Sequence, residues 1–173
     1  MTQSYDDLYW NSNDGLRLHA RDHAPDAGQA ARGTVVCIPG LTRNGADFDA
    51  LADVLTAEGW RVIAVDLRGR AGSERAYDPS SYNPRAYADD MVALLRSQNI
   101  DKAVFVGTSL GVLVTITLAS RGTLGPASLS TAPAIRSGAR EARVMVTSTP
   151  SEVPTNTALS MFCERSNATM SSA

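Results

Sequence analysis

The stretch from Ala103 to Arg121, AVFVGTSLGVLVTITLASR, constrains the fold of this chain more than any other part of it. It begins with an apolar, β-branched run over 104–106, which predicts a buried strand. The pentapeptide Gly107-Thr108-Ser109-Leu110-Gly111 follows, and an apolar run long enough for a helix comes after it. A serine between a strand and a helix must lie on a very tight turn, so its neighbours must be nearly free of side chains. Gly107 and Gly111 meet that requirement, and the turn predicts an exposed Ser109 in a nucleophile elbow.

The pentapeptide alone leaves other interpretations open. G-x-S-x-G also occurs as a glycine-rich turn between buried elements, without a catalytic role. In addition, the uncharged run from Ala103 to Ser120 is near the length of a membrane span. The glycines, the Ser and Thr hydroxyls and the strand-like start favour a soluble strand–turn–helix over a span.

Length and charge restrict the function classes. At 173 residues the chain is expected to form one domain, and its net charge of −2 with a pI near 5.6 gives no electrostatic reason to bind nucleic acid or an anionic membrane. The acidic start MTQSYDDLYW has no apolar core, which predicts no secretory signal and a cytoplasmic protein. Cys37 and Cys163 lie far apart, and the two cysteines and two histidines show no ligand spacing. We therefore expect no disulfide, no metal and no cofactor.

The composition changes near residue 121. All thirteen Asp residues fall at or before Asp101, whereas residues 121–173 contain sixteen of the thirty-one Ser and Thr residues. We therefore expect an α/β domain over residues 1–121 and an irregular Ser/Thr/Ala/Pro-rich tail over residues 122–173. Within that tail only 142–147 predicts a strand and 157–165 a short helix. A change of reading frame near Arg121 is one hypothesis for the tail, and a natural divergent segment is the other.

Residues 9–20 predict a β-hairpin. Asp14-Gly15 is a strong turn dipeptide, and the residues after it alternate between apolar and polar. The alternation assigns His19 to the polar face, and His23 is assigned to the loop that follows. Both histidines are predicted to be solvated surface residues.

Three buried strands are then predicted at 34–38, 60–66 and 104–106. Their continuous apolar character is typical of parallel strands with helices on both faces. The helix after the first strand is expected to end at Gly59, and the helix before the third to begin at Pro84 with Asn83 as its N-cap. This alternation predicts a doubly wound parallel sheet with right-handed crossovers, preceded by the hairpin.

The carboxyl ends of these strands are where a site is expected. Three loops converge there, at 39–45, 66–73 and 107–111. When a serine hydroxyl attacks a carbonyl, an oxyanion forms that fixed backbone N–H groups can stabilise. The N–H of Leu110, after Ser109, is the first candidate donor, and the N–H of Leu41, after Pro39-Gly40, is the second.

Together these features resemble the N-terminal half of an α/β-hydrolase-fold enzyme, over residues 5 to 121. The hairpin, the strand ending in Pro39-Gly40-Leu41, the loop Asp66-Leu67-Arg68-Gly69 and the Ser109 elbow follow in the family's order. The resemblance implies Ser109 as nucleophile, backbone oxyanion-hole donors at Leu41 and Leu110, and hydrolysis of a small ester or acyl substrate through an acyl-enzyme. It implies no cofactor and leaves the oligomeric state open.

The chain departs from the family pattern at three positions. Pro39 stands where many members carry His, Ala71 stands where a glycine is common, and Val112 stands where a small residue is usual. The backbone donor at Leu41 can survive the first change. A β-branched side chain at Val112 is expected to strain the elbow or push on the adjacent strand.

The catalytic triad is incomplete in this chain. The family's order is Ser, then Asp or Glu, then His, yet no His and no Asp follow Ser109. The remaining carboxylates, Glu141, Glu152 and Glu164, are not at predicted strand ends. The alternative to a serine hydrolase is therefore a catalytically inactive, truncated remnant or pseudoenzyme that at most binds a ligand or partner.

Two further expectations concern the overall class and the sheet edge. A nucleotide-binding Rossmann domain is disfavoured, because no G-x-G-x-x-G follows the first parallel strand. If no strand pairs beyond 104–106, that strand forms an exposed apolar edge unless the tail or a partner chain covers it.

Overall fold

The computed structural model describes residues 5–121, together with the backbone of two later strands. The elements in chain order are β1 (Asp6–Asn11), β2 (Arg17–His23), β3 (Gly33–Ile38), α1 (Asp49–Ala57), β4 (Trp60–Asp66), α2 (Pro84–Ser97), β5 (Ala103–Thr108), α3 (Leu110–Ser120), β6 (Ser128–Leu129) and β7 (Ala142–Thr147). Short 3₁₀ turns at Gly45–Phe48 and Pro79–Ser81 precede α1 and α2.

The described strands form one mixed sheet in the order β1-β2-β4-β3-β5-β7-β6. β2 pairs antiparallel with both β1 and β4, and the pairs β3–β4 and β3–β5 are parallel. The predicted hairpin, followed by three parallel strands with crossover helices, is confirmed. Because β3 lies between β4 and β5, its carboxyl end is at the centre of the sheet.

Apolar side chains cover both faces of this sheet. Along β3, Val36 and Ile38 join a buried cluster on the side of α2 and α3, whereas Val35 and Cys37 join a cluster on the side of α1. Successive side chains of a strand point to opposite faces, so a strand buried on both sides must be apolar at every position. This explains the continuous apolar runs in the sequence.

The predicted helix boundaries are also confirmed. The side chain of Asn83 accepts hydrogen bonds from the N–H groups of Arg85 and Ala86, at 3.0 and 3.1 Å, at the start of α2. Gly59 follows α1 with φ of +90°, and a Cβ there would lie 2.3 Å from the carbonyl oxygen of Ala30. Only glycine fits that position without a shift of the backbone.

The tail contributes two strands to the sheet. β7 pairs in parallel with the whole of β5, from Ala103 opposite Ala142 to Thr108 opposite Thr147, and so covers the edge that the sequence left open. The strand at 142–147 was predicted, whereas β6, which pairs with β7, was not. The predicted helix at 157–165 lies outside the described residues. Within the described part of the chain, no helix is both long and apolar enough to cross a membrane.

Candidate active site

Ser109 occupies a strained turn between β5 and α3. Its backbone has φ of +51° and ψ of −112°, a conformation that a residue with a side chain rarely adopts, and the residue is exposed. A Cβ at Gly107 would lie 2.5 Å from the carbonyl carbon of Gly111, and one at Gly111 would lie 2.1 Å from the carbonyl oxygen of Ile38. Both glycines are therefore required for the chain to turn here, as the pentapeptide predicts.

The start of α3 presents backbone donors beside this serine. The carbonyl oxygen of Ser109 accepts from the N–H of Val112 at 3.0 Å, which closes the first turn. The N–H groups of a helix's first turn have no partner within the helix, and the helix dipole favours negative charge there. Leu110 is the first residue of α3, so its N–H belongs to this group.

The loop after β3 lies against the same serine. A Cβ at Gly40 would lie 3.4 Å from the Cβ of Ser109 and 3.7 Å from the carbonyl oxygen of Thr108. Leu41 comes next and exposes 55% of its surface, while its carbonyl oxygen accepts from Nε of Arg70 at 2.7 Å. The three loops predicted to converge therefore do so. The assignment of Leu41 and Leu110 as oxyanion-hole donors stays a prediction.

A buried carboxylate joins these loops to one another. Asp66, at the end of β4, accepts from the N–H of Gly45 at 2.8 Å and from the N–H of Gly72 at 3.1 Å. Its Oδ2 also lies 2.7 Å from Nδ1 of His19 on the hairpin. One side chain thus fixes the relative positions of the loop after β3, the loop after β4 and β2.

The prediction that His19 and His23 are solvated surface residues is wrong, because β2 is not an outer strand. His19 is 7% exposed, and its register partner on β4 is Asp66. Its Nε2 lies 2.9 Å from Oδ1 of Asp7, so carboxylates engage both ring nitrogens. A Cβ at Gly72 would lie 2.6 Å from Cγ of this ring, so the loop after β4 covers the histidine.

His23 was predicted in the loop after the hairpin, but it is the last residue of β2 and is buried, at 1% exposure. Its ring stacks at a tilt against Tyr5, with 5.4 Å between the ring centroids, and its Nε2 lies 3.7 Å from Oδ1 of Asp49. Burial lowers the pKa of His23, although the charge of Asp49 opposes the shift. In the described part of the chain, neither histidine forms a hydrogen bond with Ser109.

Comparison with known proteins places this geometry in a family. A model of the alpha/beta hydrolase fold matches residues 33–130.

The chain belongs to the α/β-hydrolase family.

Its relatives include hydrolases of several kinds. It is 41% identical over 85 residues to a 3-hydroxybutyrate-oligomer hydrolase from Cupriavidus necator, a match that covers 49% of this chain and 29% of that protein. It is 34% identical over 82 residues to a 2-(acetamidomethylene)succinate hydrolase from Mesorhizobium japonicum, covering 47% of this chain and 28% of the relative. The matched segment is therefore less than a third of the length of these two relatives.

Solved structures agree with this assignment. An α/β hydrolase from Novosphingobium aromaticivorans superposes with a TM-score of 0.63 and 45% identity, covering 70% of this chain and 41% of that one. An epoxide hydrolase from Vigna radiata has a TM-score of 0.61 at 22% identity, over 69% of this chain and 35% of its own, and supports the fold alone.

One departure from the α/β-hydrolase pattern, at Ala71, has a visible consequence for the backbone. Ala71, where the family favours glycine, has φ of +38°, in the left-handed region that glycine occupies without strain. Val112 is half-buried within α3 and its φ is not positive. The only positive φ at this turn is that of Ser109.

Arg68 anchors the α/β-hydrolase loop that follows β4. It is 3% exposed and donates from Nε and Nη2 to the two carboxylate oxygens of Asp90, at 2.8 and 2.6 Å. Its Nη1 donates to Asp14 at 2.9 Å, and these hydrogen bonds raise the pKa of Arg68. The sequence of this loop resembles the family pattern, but nothing in the sequence predicted that Asp90 and Asp14 would pair with Arg68.

The remaining chemistry of the described residues is limited. Cys37 is fully buried in β3, and burial raises the pKa of its thiol, so this cysteine is an inert core residue. Cys163 lies outside the described residues. The described part of the chain contains no group of three or more His, Cys, Asp or Glu side chains that could hold a metal ion.

Proposed function

We propose that this chain carries out serine-dependent hydrolysis of a small ester or acyl substrate, with Ser109 as the nucleophile. The observation that carries the proposal is the strained, exposed turn at Ser109, with its φ of +51°. Positive φ at a residue with a side chain is costly, and such strain is typical of functional sites. Here it holds a hydroxyl above the carboxyl ends of parallel strands.

The proposed reaction has two steps. The Oγ of Ser109 attacks the acyl carbon, and the hydroxyl proton passes through solvent to the departing alkoxide, which leaves as the alcohol. The resulting acyl-enzyme is then hydrolysed by water to the free acid and Ser109. The N–H groups of Leu110 and Leu41 would stabilise the oxyanion in both steps. The start of α3 and the approach of Gly40 to Ser109 support these donors.

The relatives support a choice of substrates to test. The Cupriavidus necator relative is named for 3-hydroxybutyrate oligomers, and its 41% identity makes short oligoesters of that acid the first substrates to test. The net charge of −2 supports a small-molecule partner rather than nucleic acid or an anionic membrane surface. Localisation in the cytoplasm stays a prediction.

The test is a stopped-flow assay with 4-nitrophenyl acetate. We expect a burst of 4-nitrophenol equal to the protein concentration, because acylation of Ser109 releases one equivalent of the phenol. Ser109→Ala should abolish the burst. Ser120→Ala should leave it intact, because Ser120 lies at the far end of the same helix and donates to the carbonyl of Thr117. Equal bursts in the first variant and the unaltered chain would contradict the proposal.

A second candidate is binding without turnover. Its support is that no His and no Asp follow Ser109, while both ring nitrogens of His19 are already engaged. Without a general base, serine attack loses most of its rate advantage. Saturable binding of a 3-hydroxybutyrate dimer without any burst or hydrolysis would favour this candidate.

A further inference from the structure

Arg70 reaches from the loop after β4 to the loop beside Ser109. Its Nε donates to the carbonyl oxygen of Leu41 at 2.7 Å, and its Nη1 lies 3.3 Å from the carbonyl oxygen of Gly69. The guanidinium is thus held at the edge of the site by two backbone oxygens. Its Nη2 makes no hydrogen bond within the described residues.

Two neighbouring arginines pair with carboxylates among the described residues, whereas Arg70 does not. Arg43 pairs with Asp47, and Arg68 pairs with Asp90 and Asp14. The nearby carboxylate of Asp66 is bound to His19 and to two backbone N–H groups. Among the residues that the structure describes, no carboxylate forms an ion pair with Arg70. Within the described part of the chain, a cation without a carboxylate partner therefore remains at the loop that lies against Ser109.

The path from Arg70 to Ser109 is short. A Cβ at Gly40 would touch the Cβ of Ser109 at 3.4 Å, and Leu41 follows Gly40 by one Cα–Cα step of about 3.8 Å. Arg70 is bonded to the carbonyl of that same Leu41. A molecule whose acyl carbon lies at Ser109 and whose far end lies over this loop would meet the guanidinium.

We propose that Arg70 binds a carboxylate of the substrate, so that this site prefers esters carrying a negative charge away from the scissile bond. This inference rests on the proposed function for the position of the acyl group, but the binding itself requires no catalysis. A guanidinium presents its terminal N–H groups in a fork that matches a carboxylate. Because Leu41 already fixes Nε, less side-chain freedom is lost when the carboxylate binds.

The test measures equilibrium binding in the Ser109→Ala variant, which cannot cleave the ligand. The ligands are a matched pair, monoethyl succinate and diethyl succinate, titrated into ¹⁵N-labelled protein at low salt. We expect the charged monoester to bind about three- to tenfold more tightly, as for an exposed or partly exposed ion pair. The preference should fall as salt is added.

Three further variants separate charge from structure. In the Ser109→Ala background, Arg70→Gln should bring the ratio of dissociation constants to about one, and Arg70→Lys should retain a preference for the monoester. Arg96→Gln removes the same charge from an exposed position near the end of α2 and should leave the ratio unchanged. Each variant is first compared with the parent by thermal unfolding.

Two results would overturn the inference: a ratio of one in the parent, including the absence of any saturable shift, or an undiminished ratio in Arg70→Gln. A different pattern of results would refute the proposed hydrolase function alone. If the unaltered chain neither gives a burst with 4-nitrophenyl acetate nor hydrolyses monoethyl succinate, while the Arg70-dependent preference in binding persists, the carboxylate site stands and the hydrolase proposal fails.

Discussion

Among glycines near the site, Gly111 is the one whose replacement by alanine should lower the free energy of unfolding the most. The new Cβ would lie 2.1 Å from the carbonyl oxygen of Ile38 and 2.8 Å from its carbonyl carbon. Ordinary van der Waals contact begins near 3.4 Å, so the helix and the strand would have to separate by more than about 1 Å. The atoms involved belong to the backbone of β3, which is paired on both sides with β4 and β5.

This clash can be converted into a free energy. Overpacking of a close-packed core usually costs about 1–3 kcal/mol, and a strand held on both sides by ladder hydrogen bonds has little freedom to yield. We therefore expect Gly111→Ala to lower the free energy of unfolding by about 3 kcal/mol, a large part of the roughly 5–15 kcal/mol typical of a domain.

Urea unfolding followed by circular dichroism measures the loss, with Gly15→Ala as the matched control. Gly15 has φ of +88°, but no heavy atom lies within 4 Å of a Cβ placed there. That variant should lose only the backbone strain of about 1 kcal/mol. If Gly111→Ala loses no more than Gly15→Ala, the close approach of α3 to β3 does not exist as described.

Three further outcomes follow from the structure. Ala71→Gly should raise the free energy of unfolding by up to about 1 kcal/mol in urea melts, because φ of +38° is strained for alanine; a loss would contradict this. Burial lowers the pKa of His23, so just below the ordinary histidine pKa of about 6.5 the imidazole is protonated in the unfolded chain and neutral in the folded one. The free energy of unfolding should therefore fall as the pH is lowered from about 7 to 5, and it should fall less steeply in His23→Leu. Arg68→Met should lose about 3–5 kcal/mol, since it leaves the carboxylate of Asp90 buried and unpaired, and adding Asp90→Leu should restore part of that loss in a double-mutant cycle.

Much of the fold could be predicted from local signals in the sequence. Two helix boundaries, at the Asn83 cap and the Gly59 stop, and the buried parallel strands β3, β4 and β5 are marked by chemistry within a few residues. The Ser109 elbow is equally local, because the two glycines, the strand and the helix are contiguous in the chain. These features were predicted because neighbouring residues alone determine them.

The histidines were mispredicted for the opposite reason. An alternating strand next to a turn has a polar face, but whether solvent or protein covers that face depends on distant pairings. His19 is buried because β2 pairs with β4, which aligns it with Asp66, and because Gly72 lies over its ring. No triad base was found after Ser109, since the given sequence has no His there, and no acid was assigned, because the three Glu residues that follow are not at predicted strand ends.

The most direct test of the account is covalent labelling of Ser109 by a fluorophosphonate, located by peptide mass mapping. We expect one adduct, on Ser109, that forms faster in the folded protein than in urea-unfolded protein. Ser109→Ala should abolish the adduct, and Ser120→Ala should retain it. An adduct elsewhere, no adduct, or equal rates in the folded and unfolded chain would contradict the claim that the turn at φ of +51° holds an activated nucleophile.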